Sequence, residues 1–447
     1  MNKMERLDRR DAVWILVWAI ASLLECLRLS WGRQLWSDEI FGWVLVHDPS
    51  LRHMFSAWRL GADGGGIFFY LTARIWSSIF GDAALPFRFF CAFCIAMALG
   101  FTWVTARRWY RLEVVAFALP FCWFTAQTIL QQMALGRFYG ALMLAVAATT
   151  YCTCVVVEKK SLCNRDYALL FASHCFLVGI HPFGLLYSAA ILCATIVIDA
   201  LRSRWRPLLY ASALAGWLIL VPSRAAAKSS AAVWKPHSWT TTPTIWDLRD
   251  VLGFNTPEIM GLGLFLILCL VVRLILNRRR RQHPVHGDMT MVVLGFALVL
   301  LIPLLWLVSL RGTSYFVDRY LTGTIIGVSL LACAAIDRLV PSQLPVRAKW
   351  SLRIVALALF GGTVYSALIY LPAHFVLPPH SYTQTMANAL PHNIPIVVER
   401  SDIFAEAVFS QPELKLRYLL DWDVVNLPES PRGDVSGYHE MDNWKRI

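Results

Sequence analysis

Two adjacent carboxylates, Asp38 and Glu39, stand in Trp36-Ser37-Asp38-Glu39, just beyond the first apolar segment of the chain. Carboxylates at a membrane border are costly unless solvated, paired or used in chemistry. A solvated acidic loop is an equally ordinary reading, so position alone does not decide between them. Other polar groups recur in similar places: Asp63 in Gly61-Ala62-Asp63-Gly64, Arg137 and Tyr139 between Gly136 and Gly140, His181 opening His-Pro-Phe-Gly184, and the Arg319-Tyr320 pair. An Arg beside a Tyr at a membrane border is most often an interfacial anchor. As a set, however, these are carboxylates and isolated arginines at one membrane surface. Such a set suits a base that deprotonates an acceptor hydroxyl and cations that stabilise a departing lipid phosphate.

Composition dictates the scaffold that must hold them. The chain has 447 residues, 57% of them hydrophobic, with 19 Trp, and a mean hydropathy of +0.53. A soluble core has no use for that much apolar surface, so the excess faces lipid and the protein is all-α and polytopic. The net charge of +12 lies in short clusters between apolar runs, such as Arg9-Arg10, Arg107-Arg108, Lys159-Lys160 and Arg278 to Arg281. These read as positive-inside anchors, and no contiguous basic face for nucleic acid is present. Cys91 and Cys94 form a C-x-x-C inside an apolar run, the setting of small core residues more than of metal or redox chemistry. No N-x-S/T sequon occurs, and the first apolar segment lacks a small-residue cleavage site, so it is expected to stay as an anchor.

Apolar segments are predicted at 12–30, 66–80, 86–105, 113–131, 136–157, 167–181, 183–201, 207–222, 257–276, 289–310, 319–340 and 351–371. In the first, Glu25 and Arg28 share a helix face and can neutralise each other. Residues 31–65 form a long external loop, in which 49–58 has the spacing of a short amphipathic helix. Residues 223–256 form a second. Basic clusters place the N-terminus inside and the C-terminal tail outside, which requires an odd number of crossings. Twelve segments are one too many, and the Pro-containing 113–131 run or its neighbour is the first suspect; eleven crossings are expected, thirteen being the alternative. Residues 374–447 change character, with Pro breaks, acidic residues and a strand pattern at 394–399, and read as a small soluble α/β appendage. The expected organisation is a transmembrane catalytic domain over 1–373 and an extracytoplasmic C-terminal region over 374–447.

The order of motifs resembles the GT-C membrane glycosyltransferases, in the branch of the protein mannosyltransferases and aminoarabinose transferases. Its early Asp-Glu is matched by Asp38-Glu39, and its tyrosine-containing start of the next segment by Phe68-Phe69-Tyr70. Its Trp and Phe-Gly exit is matched by Trp76 and Phe80-Gly81, and its following arginine by Arg88. Arg137-Phe138-Tyr139, His181 to Gly184 and Arg319-Tyr320 match later elements. The resemblance spans residues 12–340 and rests on order and spacing more than on any single motif. One departure stands out: many relatives have His-Pro-Pro or Asn-Pro-Pro where this chain has Gly64-Gly65-Gly66. Glycine allows close backbone approach to a ligand but lacks the rigid turn and the imidazole.

What the resemblance implies is a GT-C fold and an inverting transfer of a sugar from a polyprenyl-phosphate donor to a hydroxyl of a lipid, glycan or protein. The setting would be the extracytoplasmic face of a bacterial inner membrane. Asp38 would be the general base and Glu39 its partner in catalysis. Arg137, Tyr139, Arg319 and Tyr320 would hold the donor phosphate, and Asp63, Tyr70, Arg88 and His181 the rest of the substrate. The branch is expected to need no metal, although Asp38, Glu39, Asp63 and His181 have the oxygens and nitrogen to ligate a divalent ion if they gathered. Trp58, Trp234 and Trp239 could stack on a sugar ring, but an interfacial aromatic belt explains them as well. A transporter or lipid flippase is the alternative from another class. It accounts for the spans, but not for the long Asp-Glu loop or the soluble tail.

Overall fold

A computed structural model describes residues 8–223, 240–253, 286–311, 314–339 and, near the C-terminus, 394–398 and 401–420, besides a few isolated positions. The predicted segments at 257–276 and 351–371, the Arg278–Arg281 cluster, Trp234 and Trp239 lie outside the described residues. The helices are α1 Arg9–Ser30, α2 Ser37–Val46, α3 Leu51–Leu60, α4 Ile67–Phe80, α5 Ala84–Arg107, α6 Leu112–Thr125, α7 Gln127–Met133, α8 Tyr139–Val157, α9 Asn164–Ile180, α10 Gly184–Leu201 and α11 Pro207–Ala215. They continue with α12 Ile245–Asp250, α13 His286–Val299, α14 Leu301–Ser309 and α15 Thr324–Leu339, and a last helix, α16 Ser401–Ser410, lies between strands β1 Ile396–Val398 and β2 Tyr418–Leu420.

Lipid offers backbone groups no partner, so spanning segments must close their hydrogen bonds internally, and helices follow. Among the described residues five helices are long and apolar enough to cross a membrane, or six if α6 and α7, bent by 78° at their junction, form one span. The chain is a multi-pass membrane protein. In α8 72% of the most apolar window is buried and in α5 67%, against 17% in α1. The core therefore lies where α5 packs on α8, and α1 turns most of its apolar surface outward.

Ion pairs mark the two ends of the bundle. Asp11 at the start of α1 meets Arg107 at the end of α5 at 2.7 Å, Arg108 meets Glu158 beyond α8 at 2.9 Å, and Arg111 before α6 meets Asp337 late in α15 at 2.9 Å. The opposite ends of these helices carry Asp38, Glu39, Arg88, Arg137 and Arg319. The α6–α7 pair runs from Arg111 at the first end to Gly136, whose amide donates to Glu39 at 2.5 Å, at the second. It thus traverses the bundle despite its bend.

Helix α4 does not. The amide of Gly66 before it donates to the carbonyl of Ile180 at 2.7 Å, and the carbonyl of Asp82 beyond it accepts from Trp43 Nε1 at 2.7 Å. Both ends thus lie at the second end of the bundle, and 14 residues reach only about 21 Å, short of a bilayer core. The expectation of a crossing at 66–80 is corrected: this segment does not traverse the bundle, whereas 113–131 does. In α4, Ile67, Phe69, Tyr70 and Ala73 pack within the site layer, while Ile75, Ile79 and Phe80 stay exposed, a mixture that hydropathy does not distinguish from a span.

The stretch 31–65 is likewise more ordered than a loop, since it holds α2 and α3. The amphipathic helix expected at 49–58 is α3: Ser50 caps it by accepting from the His53 amide at 3.3 Å, and Gly61, at φ +84°, ends it in the left-handed region. Its Met54, Ala57 and Trp58 face inward. Glu25 and Arg28 pair on α1 through hydrogen bonds of 2.8 and 2.6 Å, as their spacing predicts. At the C-terminus β1 and β2 run parallel, Ile396 opposite Tyr418 and Val398 opposite Leu420, with α16 packed beside them.

Candidate active site

Helix α2 begins the site. Its first turn carries Asp38 and Glu39, which sit about 100° apart around the axis and so enter different surroundings. Glu39 turns inward and is fully buried. Its oxygens accept from Arg88 Nε at 2.9 Å and Nη2 at 2.6 Å, from the Gly136 amide, and from the Trp36 amide at 3.2 Å. Arg88 is equally enclosed, its Nη1 donating to the carbonyl of Arg33 at 3.0 Å and its Nη2 also to that of Gln34 at 2.6 Å. Neither Glu39 nor Arg88 presents a face to a substrate. The pair ties α2, α5 and the approach to α8 into one unit.

Asp38 turns the other way. Its side chain is 31% exposed, against 0% for Glu39 and 2% for Asp63. Its Oδ2 lies 3.4 Å from Arg319 Nη1 and 4.0 Å from Arg137 Nη2. Arg137 also donates to the backbone carbonyl of Asp38 and, at 3.1 Å, to Asp63 Oδ1. It stacks over the ring of Phe138 at 4.5 Å. Its buried Nε has no hydrogen-bond partner among the described residues, and an amide-like donor in that position calls for an acceptor. Asp63 in turn accepts from Tyr70 Oη at 2.7 Å, and Tyr70 accepts from the Gly65 amide at 3.0 Å.

Two glycines of the run, Gly65 and Gly66, are explained by close contacts. A Cβ on Gly66 would lie 2.1 Å from the Gly179 carbonyl oxygen, and one on Gly65 would lie 2.5 Å from the Tyr70 hydroxyl. The close approach that glycine allows here is to the protein's own α9 and Tyr70. Trp58, too, is spent on structure: it is buried and donates from Nε1 to the Gly65 carbonyl at 3.1 Å.

An aromatic wall completes the site. The His181 ring stacks on Phe138 with centroids 4.3 Å apart, and on Phe183 at 5.6 Å, with Tyr139 and Tyr320 at 6.0 and 5.8 Å. His181 Nδ1 accepts from the Phe183 amide at 3.1 Å, which assigns the ring proton to Nε2. Burial, and then the positive charges of Arg137 and Arg319, push its pKa down to about 3. The ring is a neutral wall at physiological pH. Beside Arg319, a cavity of about 320 Å³ is lined by Thr240, Thr241, Asp247, Asp250, Phe316 and Asp318, among others. In the sequence Phe138 is only the middle residue of Arg137-Phe138-Tyr139, with no role of its own, and nothing singles out Thr240 and Thr241 within the 223–256 loop. Among the described residues no three His, Cys, Asp or Glu side chains gather to hold a metal ion, and Glu39, committed to Arg88, is turned away from Asp38 and Asp63.

No family model and no curated protein sequence matches the chain. Several solved structures do, among them two of ArnT, an aminoarabinose transferase, from Cupriavidus metallidurans. The apo crystal structure aligns at a TM-score of 0.59 with 12% identity, and the crystal structure bound to undecaprenyl phosphate at 0.60 with 13% identity. Each alignment covers 96% of this chain and 90% of the other. At that identity the likeness speaks for the fold alone: the chain has the GT-C fold, as expected from the order of motifs.

Proposed function

We propose that the chain transfers a sugar from a polyprenyl-phosphate donor to an acceptor hydroxyl with inversion, using Asp38 as general base. The observation that carries this reading is the setting of Asp38, an open carboxylate with Arg319 at 3.4 Å and Arg137 at 4.0 Å. The acceptor O–H gives its proton to Asp38, and its oxygen bonds to the anomeric carbon. The bond from that carbon to the phosphate oxygen breaks, and the phosphate monoester leaves with the electron pair. Two nearby guanidinium groups lower the barrier by meeting the charge that develops on it. Arg319 is the more open of the two and the main phosphate ligand. Arg137, held by Asp63 and the Asp38 carbonyl, offers its buried Nε. Tyr139 and Tyr320 orient oxygens from the aromatic wall. Glu39 and Arg88 act at one remove, by fixing the first turn of α2, and Asp63 and Tyr70 by fixing Arg137.

Similarity in fold to an ArnT structure that holds undecaprenyl phosphate supports a lipid-phosphate donor. An apolar groove of about 250 Å³, lined by Leu23, Trp76, Phe80, Pro86, Phe89 and Phe93, suits its isoprenoid chain. On this reading the site faces the extracytoplasmic side of a bacterial inner membrane. The test is turnover of a panel of radiolabelled polyprenyl-phosphate sugars by detergent-purified protein, wild type beside Asp38→Asn. Removing the base while keeping its shape is expected to lower the rate on the order of a hundredfold or more. Equal rates would move the base elsewhere, and a wild type that releases no sugar from any donor would end the transferase reading.

A further inference from the structure

The C-terminal helix reaches the site. Helix α16 packs on α2. Glu406 Oε1 accepts from the Ser37 amide at 3.1 Å, the Ser410 hydroxyl donates to Gln34 Oε1 at 2.6 Å, and the Phe409 ring meets Trp43 edge-on with centroids 4.7 Å apart. The docking uses both faces of α16. Ala405 is part of the main core, while Ala407 packs with Ile396, Val398 and Tyr418 of the small sheet.

The Ser37 contact has a physical reason. The first amides of a helix have no intrahelical acceptor and need one from elsewhere. The residue before α2 is Trp36, whose indole donates and cannot accept. The chain therefore supplies acceptors from other places: Glu39 reaches back to the Trp36 amide, and Glu406 comes from the far end of the sequence to the Ser37 amide. A carboxylate is also the favourable charge at that helix end. Asp38 thus lies between an amide held by Glu406, a neighbour locked on Arg88, and its own carbonyl held by Arg137.

We propose that Glu406 is a positioning residue of the site: its hydrogen bond to the Ser37 amide fixes the first turn of α2, so the C-terminal appendage is a working part of the catalytic unit. The proposal rests on the reading of Asp38 as the base. A misplacement of about 1 Å at such a group is enough to slow chemistry strongly, without loss of ground-state affinity.

The experiment compares full-length wild type, Glu406→Ala and Glu406→Gln in detergent by three readouts: amide hydrogen exchange over residues 36–46, thermal unfolding, and kcat and KM for whichever donor wild type turns over. In Glu406→Ala, exchange in the first turn of α2 should quicken and kcat should fall about tenfold, with KM within about twofold and the unfolding midpoint close to wild type. Glu406→Gln, whose amide oxygen still accepts from Ser37, should recover most of both. Unchanged exchange and kcat in Glu406→Ala would overturn the proposal. So would equal impairment of both variants together with a lowered midpoint, which would mark a merely structural residue. Exchange is read without any donor. A wild type with no turnover would therefore end the transferase reading, while the ordering of α2 by Glu406 is decided on its own.

Discussion

The Glu39 carboxylate and the Arg88 guanidinium meet through hydrogen bonds of 2.9 and 2.6 Å, with neither side chain more than 1% exposed. A buried pair is a poor measure of net stability, because desolvation offsets most of the attraction. Breaking it is another matter, since one charge is then left alone in the interior. Glu39→Gln or Arg88→Met should each destabilise the protein by about 3–5 kcal/mol, seen as a lower thermal midpoint in detergent. The double variant Glu39→Gln/Arg88→Met should be less impaired than the sum of the two. Additive losses would mean that the pair is not the unit described.

Tyr70 links Asp63 to the glycine turn by donating to one and accepting from the other. Tyr70→Phe leaves an unsatisfied Gly65 amide and a weakened Asp63, at about 1–3 kcal/mol for a buried polar group without its partner. If Asp63 holds Arg137 for catalysis, kcat should fall along with stability. A variant with normal kcat would place Arg137 outside the reaction.

The three consecutive glycines should differ sharply in tolerance. A Cβ on Gly64 meets nothing within 4 Å, whereas one on Gly66 would lie 2.1 Å from a backbone oxygen that cannot rotate away. Gly64→Ala is expected to stay within about 0.5 kcal/mol of wild type. Gly66→Ala should yield little folded protein in a fluorescence-detected size-exclusion profile. Equal behaviour of the two would show that α4 and α9 do not approach as described.

His181 predicts a direction of pH dependence. Its folded pKa is about 3, while an unfolded histidine titrates near about 6.5. As pH falls from that value toward 3, the unfolded state binds a proton that the folded state refuses, so stability drops with acidification over this window. Between pH 7 and 4.5 the wild-type midpoint should fall more steeply than that of His181→Phe. Parallel slopes would show that the ring is not kept neutral by its surroundings.

Much of this was legible in the chain by itself. Apolar runs long enough for a bilayer had to become helices, because lipid leaves the backbone no other partner. The Glu25–Arg28 pair, the α3 amphipathicity and the strand at 396–398 follow from local spacing, which sequence displays directly. The order of Asp38-Glu39, Arg137, His181 and Arg319 pointed to the GT-C fold. Tertiary structure decided the division of labour. Asp38 and Glu39 are adjacent and chemically alike, and only packing against α5 buries one and leaves the other open between two arginines. Hydropathy could not show that α4 lies across the end of the bundle, since burial in protein and in lipid demand the same residues. Nothing near Glu406 announces a contact with Ser37, because a hydrogen bond between segments so far apart in the chain leaves no local pattern. Periodicity and composition record what each segment needs from its solvent; which segments meet is settled by how their surfaces fit.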